Sequence, residues 1–305
     1  MKRIYIAGAG GMLGEAFHSC FGDDCDVKCS DIDLNDDWLS YLDFRDPVAY
    51  RRDVEGFEAD YLFHLGAYTD LEYCELHVAA TYATNTLAVE NACHIANALD
   101  IPLLYISTAG VFDGKKEVYD DWDTPNPLGH YARSKLAGEV FVRENVRRHF
   151  VCRAGWMMGG GPRKDKKFVH KMMKQLKAGA RELHVVDDKL GTPTYTHDFA
   201  RNVKALLESE QWGVYNMVCG GETGRLEVAQ EIVRGLGLVD DVRVTPVSSE
   251  FFREQYFADR PASEKLVNRK LELRNLNLMR DWRIALKEYL DVYYREYLVQ
   301  RSTAA

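Results

Sequence analysis

Residues 2–14 read Lys2-Arg3-Ile4-Tyr5-Ile6-Ala7-Gly8-Ala9-Gly10-Gly11-Met12-Leu13-Gly14. A short apolar run thus leads into Gly8, Gly11 and Gly14, spaced G-x-x-G-x-x-G. A continuous apolar run bounded by turn residues suits a strand buried on both faces. Glycine at the turn adopts dihedrals closed to other residues, and the missing side chains let a pyrophosphate reach the backbone. A helix starting beyond the loop, through Met12 and Leu13, offers free N–H groups and the positive end of its dipole to that charge. On its own such a loop is a common turn; at the first strand of an alternating pattern it is specific.

The alternation is present. Strands are expected at Arg3–Ala7, Asp26–Ser30, Tyr61–Leu65, Leu103–Ser107 and Phe150–Arg153, with helices such as Val78–Leu99 and Tyr131–Arg147 between them. Strands separated by helices imply right-handed crossovers and a parallel, doubly wound α/β sheet of the Rossmann type. Beyond Arg153 the pattern loosens. Helices are expected at Phe168–Ala178, Thr196–Glu208, Arg225–Leu236 and Ile284–Val299, and strands at Glu182–Val186, Gly213–Val218 and Val242–Pro246. The expected organisation is an NAD(P)-binding domain over 1–153, to which about 192–220 return. A smaller α+β substrate-binding lobe takes about 154–191 and 221–305.

Composition narrows the function. The 305 residues are 46% hydrophobic and 28% charged, with a formal net charge of -8. That sign argues against a general nucleic-acid binder. No apolar run approaches the ~18 residues of a membrane span. The first residues pass straight into a strand-like run with no signal-peptide core, so the cytoplasm is the expected compartment. Seven cysteines form no regular framework. Cys20, Cys25 and Cys29 lack paired spacings and histidine partners, so they read as reduced thiols and no metal is expected.

Asp31, at the end of the second strand, is placed to accept hydrogen bonds from adenosine ribose hydroxyls and to repel a 2′-phosphate. That leans toward NADH, with Asp33 competing for the same role. Tyr131-Ala132-Arg133-Ser134-Lys135 sets a phenol and an ammonium one helical turn apart on one face. A free phenol has a pKa near ~10. A neighbouring Lys⁺ and the positive charge of an oxidised nicotinamide favour its ionised form, and such a tyrosine can protonate a carbonyl oxygen as hydride arrives at carbon. The Tyr/Lys pair alone also fits an ordinary amphipathic helix surface. Ser107-Thr108 strengthens the catalytic reading, because it closes the fourth strand at the carboxyl edge where open α/β sheets bind ligands.

Taken in order, these motifs resemble the extended short-chain dehydrogenase/reductases, and within them the dTDP-4-dehydrorhamnose reductase family. The resemblance spans nearly the whole chain. It includes Gly8–Gly14, His64-Leu65-Gly66-Ala67-Tyr68-Thr69, Asn85, Ser107-Thr108 followed by Val111-Phe112-Asp113-Gly114, and YARSKLAGE at Tyr131–Glu139. Arg153, Trp156, Val186-Asp187-Asp188, Gly191–Thr196 and Arg260-Pro261 continue it. It implies a catalytic triad of Thr108, Tyr131 and Lys135. It implies a cofactor site at Gly8, Gly11, Met12, Leu13, Gly14, Asp31, Asp43, Gly66, Ala67, Tyr68, Asn85 and Ser107, with Tyr131 and Lys135 also touching the cofactor. Asp43 would lie by the adenine. Val111, Phe112 and Trp156 would be near the sugar, and Arg260 would hold the nucleotide diphosphate. The implied reaction is NAD(P)H-dependent reduction of the 4-keto group of a nucleotide-diphosphate deoxy sugar. A homodimer is compatible with the sequence.

Two departures bear on the substrate. The family usually has Asp-Tyr after the threonine, where Ala109-Gly110 stand here, and Thr-Ser between the arginine and tryptophan, where Ala154-Gly155 stand. Lys167 replaces a frequent asparagine. Ala109-Gly110 supply no proton relay of the kind that 4,6-dehydratases and epimerase-reductases carry there, so simple carbonyl reduction is the easiest chemistry for the site. The alternatives are an NAD(P)-binding regulatory subunit of a partner enzyme, or a sugar-nucleotide epimerase. A basic series, Arg163, Lys164, Lys166, Lys167, Lys171, Lys174, Lys177 and Arg181, reads either as attraction for a nucleotide diphosphate or as a solvated helix face.

Overall fold

The computed structural model describes residues 1–299. Its centre is a seven-stranded sheet in which β1 (Lys2–Ala7), β2 (Cys25–Asp31), β3 (Leu39–Tyr41), β4 (Tyr61–His64), β5 (Leu103–Thr108) and β6 (His149–Ala154) are joined at one edge by Gly213–Asn216. Every pairing in it is parallel. The spatial order runs Gly213–Asn216, β6, β5, β4, β1, β2, β3, so the winding reverses between β1 and β4. Helices cover both faces, which is why Ile4, Tyr5, Ile6 and Ala7 are all buried and the strand reads as unbroken apolar sequence. The reversal point at the carboxyl edge is where such sheets hold ligands.

Several boundaries differ from the sequence reading for local reasons. β4 stops at His64 because the chain must turn through Gly66, where a Cβ would lie 2.2 Å from the Phe44 ring. The helical region expected at Val78–Leu99 contains a π-turn over Ala83–Leu87. That widened turn carries Asn85, whose amide accepts from Tyr68 N at 2.8 Å and donates to Tyr68 O at 2.9 Å. The C-terminal helix starts earlier, at Trp282, because Asp281 caps it by accepting from Arg283 N at 2.8 Å. It breaks at Tyr294, whose fully buried ring packs edge-on to Tyr289, and resumes over Arg295–Val299.

The remaining strands form small ribbons beside the sheet. Trp156–Met158 pairs with Pro193–Tyr195, and Glu182–Val186 with Arg243–Val247. Leu190–Gly191 lies between Thr223–Gly224 and Ser263–Glu264. They form a second wall, facing the carboxyl ends of β1, β4 and β5 across a cleft of about 1460 Å³.

Gly14 opens the first helix, Gly14–Gly22, with no room above it: a Cβ there would lie 1.7 Å from the Ala9 carbonyl oxygen. The clash is with backbone and cannot be relieved by a rotamer. Gly14→Ala should therefore cost roughly 1–3 kcal/mol of stability, as overpacked sites do. The check is the midpoint of urea denaturation, which should fall at an unchanged slope.

Candidate active site

Three elements meet at the cleft floor. β5 delivers Ser107 and Thr108 at its end, the helix His130–Asn145 delivers Tyr131 and Lys135, and the loop after β1 delivers Gly8 and Gly11. The helix that carries Tyr131 has Gly129 at its N-cap and no cap of its own. Glu75, from the helix Leu71–Leu76, supplies the carboxylate instead, accepting from His130 N at 2.6 Å. An acidic group at a helix N-terminus is favoured by the dipole. Gly129 leaves room for this contact, since a Cβ there would stand 2.6 Å from Glu75 Oε1 and push that carboxylate aside.

Beneath the helix lies a buried polar network. Glu139 accepts from Ser107 Oγ at 2.8 Å and from Arg153 Nε at 3.1 Å and Nη2 at 2.5 Å. Glu139 and Arg153 are almost wholly excluded from solvent. Lys135 sits one turn before Glu139, with its Nζ 4.2 Å from the centre of the Tyr105 ring, and Tyr105 in turn donates its hydroxyl to Lys135 O at 3.1 Å. Burial lowers Lys135 to about 7, and the Glu139 carboxylate resists that fall. Tyr131 is pushed up to about 12 by burial; Thr108 pulls it back and the Glu264 charge adds to the rise. The sequence reading expects Lys135 and an oxidised nicotinamide to favour the ionised phenol; burial acts the other way on Tyr131, and it lowers Lys135 as well.

The cofactor candidates divide cleanly. Gly8, Gly11, Met12, Leu13, Asp31, Asp43, Gly66, Ala67, Tyr68 and Ser107 all line the cleft. Gly8 has φ +79° and a Cβ there would lie 2.3 Å from Gly66, so two loops touch backbone to backbone; at Gly11 a Cβ would meet nothing closer than Gly8 O at 3.9 Å. That open, side-chain-free cradle suits a pyrophosphate. Asp31 accepts from Gly10 N at 2.8 Å and Asp33 N at 3.0 Å. Asp43 is engaged by Arg45, which holds its carboxyl below the usual range. Gly14 and Asn85 do not reach the cleft wall. Gly14 packs on Ala9, and Asn85 is fully buried, holding the Tyr68 backbone from behind the cleft.

On the substrate side, Val111 and Phe112 are displaced from the expected role. Both are fully buried in a cluster with Ala109, Tyr119 and Leu266, and the Phe112 ring lies beneath the Arg153 guanidinium. Trp156 and Arg260 do line the cleft. The Arg260 fork is bound in two-point fashion to Glu72, at 2.8 and 2.9 Å, so a phosphate must compete for it. Gly155 is explained by Thr192, whose carbonyl oxygen lies 2.2 Å from where its Cβ would be. The basic series splits: Arg163, Lys164, Lys166, Lys167, Lys171 and Lys174 face the cleft, whereas Lys177 stacks on Tyr297 and Arg181 pairs with Asp241. Sequence reasoning gave no role to Glu139, Arg225 or Glu264. Glu139 was visible as the residue one turn after Lys135; Arg225 and Glu264 arrive through chain returns that no local pattern announces.

A family model described as "RmlD substrate binding domain" matches residues 1–295. The chain belongs to this family. The dTDP-4-dehydrorhamnose reductase of Mycobacterium tuberculosis is 33% identical over 291 residues, covering 93% of this chain and 91% of that protein. Among solved structures, a dTDP-4-dehydrorhamnose reductase from Clostridium acetobutylicum superposes with a TM-score of 0.85 at 31% identity, covering 95% of this chain and 99% of that one. One from Bacillus anthracis, in complex with NADP, gives 0.86 at 29% identity with the same coverage.

Removing Glu139 would strand a buried arginine. Glu139→Ala should cost about 3–5 kcal/mol, the penalty of an uncompensated buried charge. Pairing Glu139→Leu with Arg153→Met should recover most of it. Chemical denaturation of the three proteins measures both effects.

Proposed function

We propose that this chain reduces the 4-keto group of a nucleotide-diphosphate deoxy sugar, as the dTDP-4-dehydrorhamnose reductases do, using NAD(P)H. The observation that carries the reading is the meeting of Tyr131, Thr108 and Lys135 at the floor of a cleft whose other end is a bare glycine cradle. The cofactor supplies the hydride when bound. Thr108 holds the carbonyl oxygen by hydrogen bond. Tyr131 gives that oxygen its proton, and burial keeps the phenol in the protonated, donating form through neutral pH. Lys135 lies next along the helix and holds the nicotinamide ribose. The nucleotide diphosphate runs along the basic wall formed by Lys167, Lys171, Arg225 and Arg260. Neither the regulatory-subunit reading nor the epimerase reading gains support from the relatives above. We place the enzyme in the cytoplasm, where its seven free thiols stay reduced. Among the described residues no helix is long and apolar enough to cross a membrane.

For the cofactor we propose a preference for NADH. Asp31 and Asp33 present carboxylates at the ribose end of the cleft. The cations nearest in sequence are engaged elsewhere, Lys28 with Asp53 at 2.8 Å and Arg3 with Glu58. Asp31→Asn keeps an acceptor for Gly10 N and removes the charge. It should raise NADPH affinity relative to NADH by about one order of magnitude, read by fluorescence titration of both cofactors. An unchanged ratio sinks the preference.

The catalytic assignment is tested separately. Tyr131→Phe keeps the ring and should bind NAD(P)H normally, while turnover of a nucleotide 4-keto sugar falls about 10²–10⁴-fold, the usual loss for a positioned general acid. The wild-type rate should decline as alkaline pH ionises the phenol, a limb missing from the variant. Near-wild-type turnover by Tyr131→Phe would overturn the mechanism.

A further inference from the structure

Glu264 sits on the short strand Ser263–Glu264, which pairs with Leu190–Gly191 and so faces the cleft floor across from β5. Its position is fixed by Trp156, whose Nε1 donates to Oε2 at 2.8 Å. The indole itself is held tightly. It presses on Gly191, where a Cβ would lie 2.2 Å from the ring, and the Arg225 guanidinium lies 4.3 Å from its centre. The second carboxylate oxygen, Oε1, takes no protein hydrogen bond among the described residues. It borders the gap left by the missing side chain of Gly110. A Cβ at that position would be 3.5 Å from Glu264 Oε1 and 3.5 Å from Thr108 Oγ. The gap therefore has the threonine hydroxyl on one side and a bare carboxylate oxygen on the other. The charge of Glu264 is also felt at Tyr131 and at Arg225.

We propose that Glu264 is the specificity-determining residue of the sugar subsite: its Oε1 accepts a hydrogen bond from the hexose hydroxyl on C3, the carbon beside the carbonyl that Thr108 and Tyr131 receive. A hydrogen bond spans ~2.8 Å. Both oxygens border the position of a Gly110 Cβ at 3.5 Å, so a carbonyl oxygen on Thr108 and a hydroxyl on the adjoining carbon can meet both groups from the cleft beside Gly110, with no side chain between them. The substrate class is a nucleoside-diphosphate 4-keto hexose that keeps its C3 hydroxyl, as against one deoxygenated there. This rests on the reductase reading.

The test is calorimetric binding to the full chain saturated with oxidised cofactor. The probes are dTDP, dTDP-rhamnose and a dTDP-3,6-dideoxyhexose, each titrated into wild type, Glu264→Gln and Glu264→Ala. Wild type should prefer dTDP-rhamnose over the dideoxy sugar by about ten- to hundredfold, the range of a hydrogen bond to a charged group. Glu264→Ala should lose that preference, and Glu264→Gln, which offers the hydroxyl a neutral amide in place of a charged acceptor, should narrow it severalfold; both should still bind dTDP. Glu264→Gln retains one acceptor for the Trp156 indole, so a residue that only positions Trp156 would leave the preference intact in this variant, and that result overturns the proposal. Equal wild-type affinity for the two sugars also overturns it while leaving the reductase reading standing. Failure of wild type to bind any of the three nucleotides removes the reductase reading, and this inference with it.

Discussion

The site depends on the buried pair of Glu139 and Arg153. Glu139 belongs to the helix that carries Tyr131 and Lys135, Arg153 to β6, and Ser107 to β5, so one carboxylate ties the helix to two neighbouring strands. A charge in the interior is tolerated only when it is paired and hydrogen-bonded. The pairing therefore fixes the height and rotation of the helix over the sheet. Thr108 follows Ser107 directly, and Lys135 precedes Glu139 by one turn. The relative placement of Thr108, Tyr131 and Lys135 is inherited from this pair.

Burial then sets the chemistry. The same exclusion of water that stabilises the sheet raises the Tyr131 phenol to about 12 and lowers Lys135 to about 7. A phenol held protonated suits a proton donor in the reductive direction. The Glu139 carboxylate behind Lys135 opposes the fall that burial imposes on it. The network that positions the helix thus also favours the cation, and the two functions cannot be separated by a single substitution at Glu139.

Much of this was legible in sequence wherever function is carried by local pattern. The glycine loop, the alternating strands and the Tyr/Lys spacing depend on neighbours a few residues apart, and β1 to β6 fall within two residues of the expected places for each strand that was read. Residues whose roles depend on distant partners were not legible. Val111 and Phe112 turn inward because Tyr119 and Leu266 close over them. Asn85 sits in a π-turn that brings it to the loop at Tyr68. Arg260 is captured by Glu72, far away in the chain. Glu264 gains meaning only because Gly110, Trp156 and Gly191 converge on it. The three-residue β3 is too short for a periodic signal and had no counterpart in the sequence reading.

Hydride delivered in this cleft must end on the sugar carbonyl carbon. Incubation with NADH or NADPH deuterated at the transferring position, together with a dTDP-4-keto-6-deoxyhexose, followed by mass spectrometry and NMR of the product, tests it directly. One deuterium should appear on C4 of the sugar for each cofactor oxidised. Sugar conversion without label at C4, or cofactor oxidation with an unlabelled sugar, would contradict it.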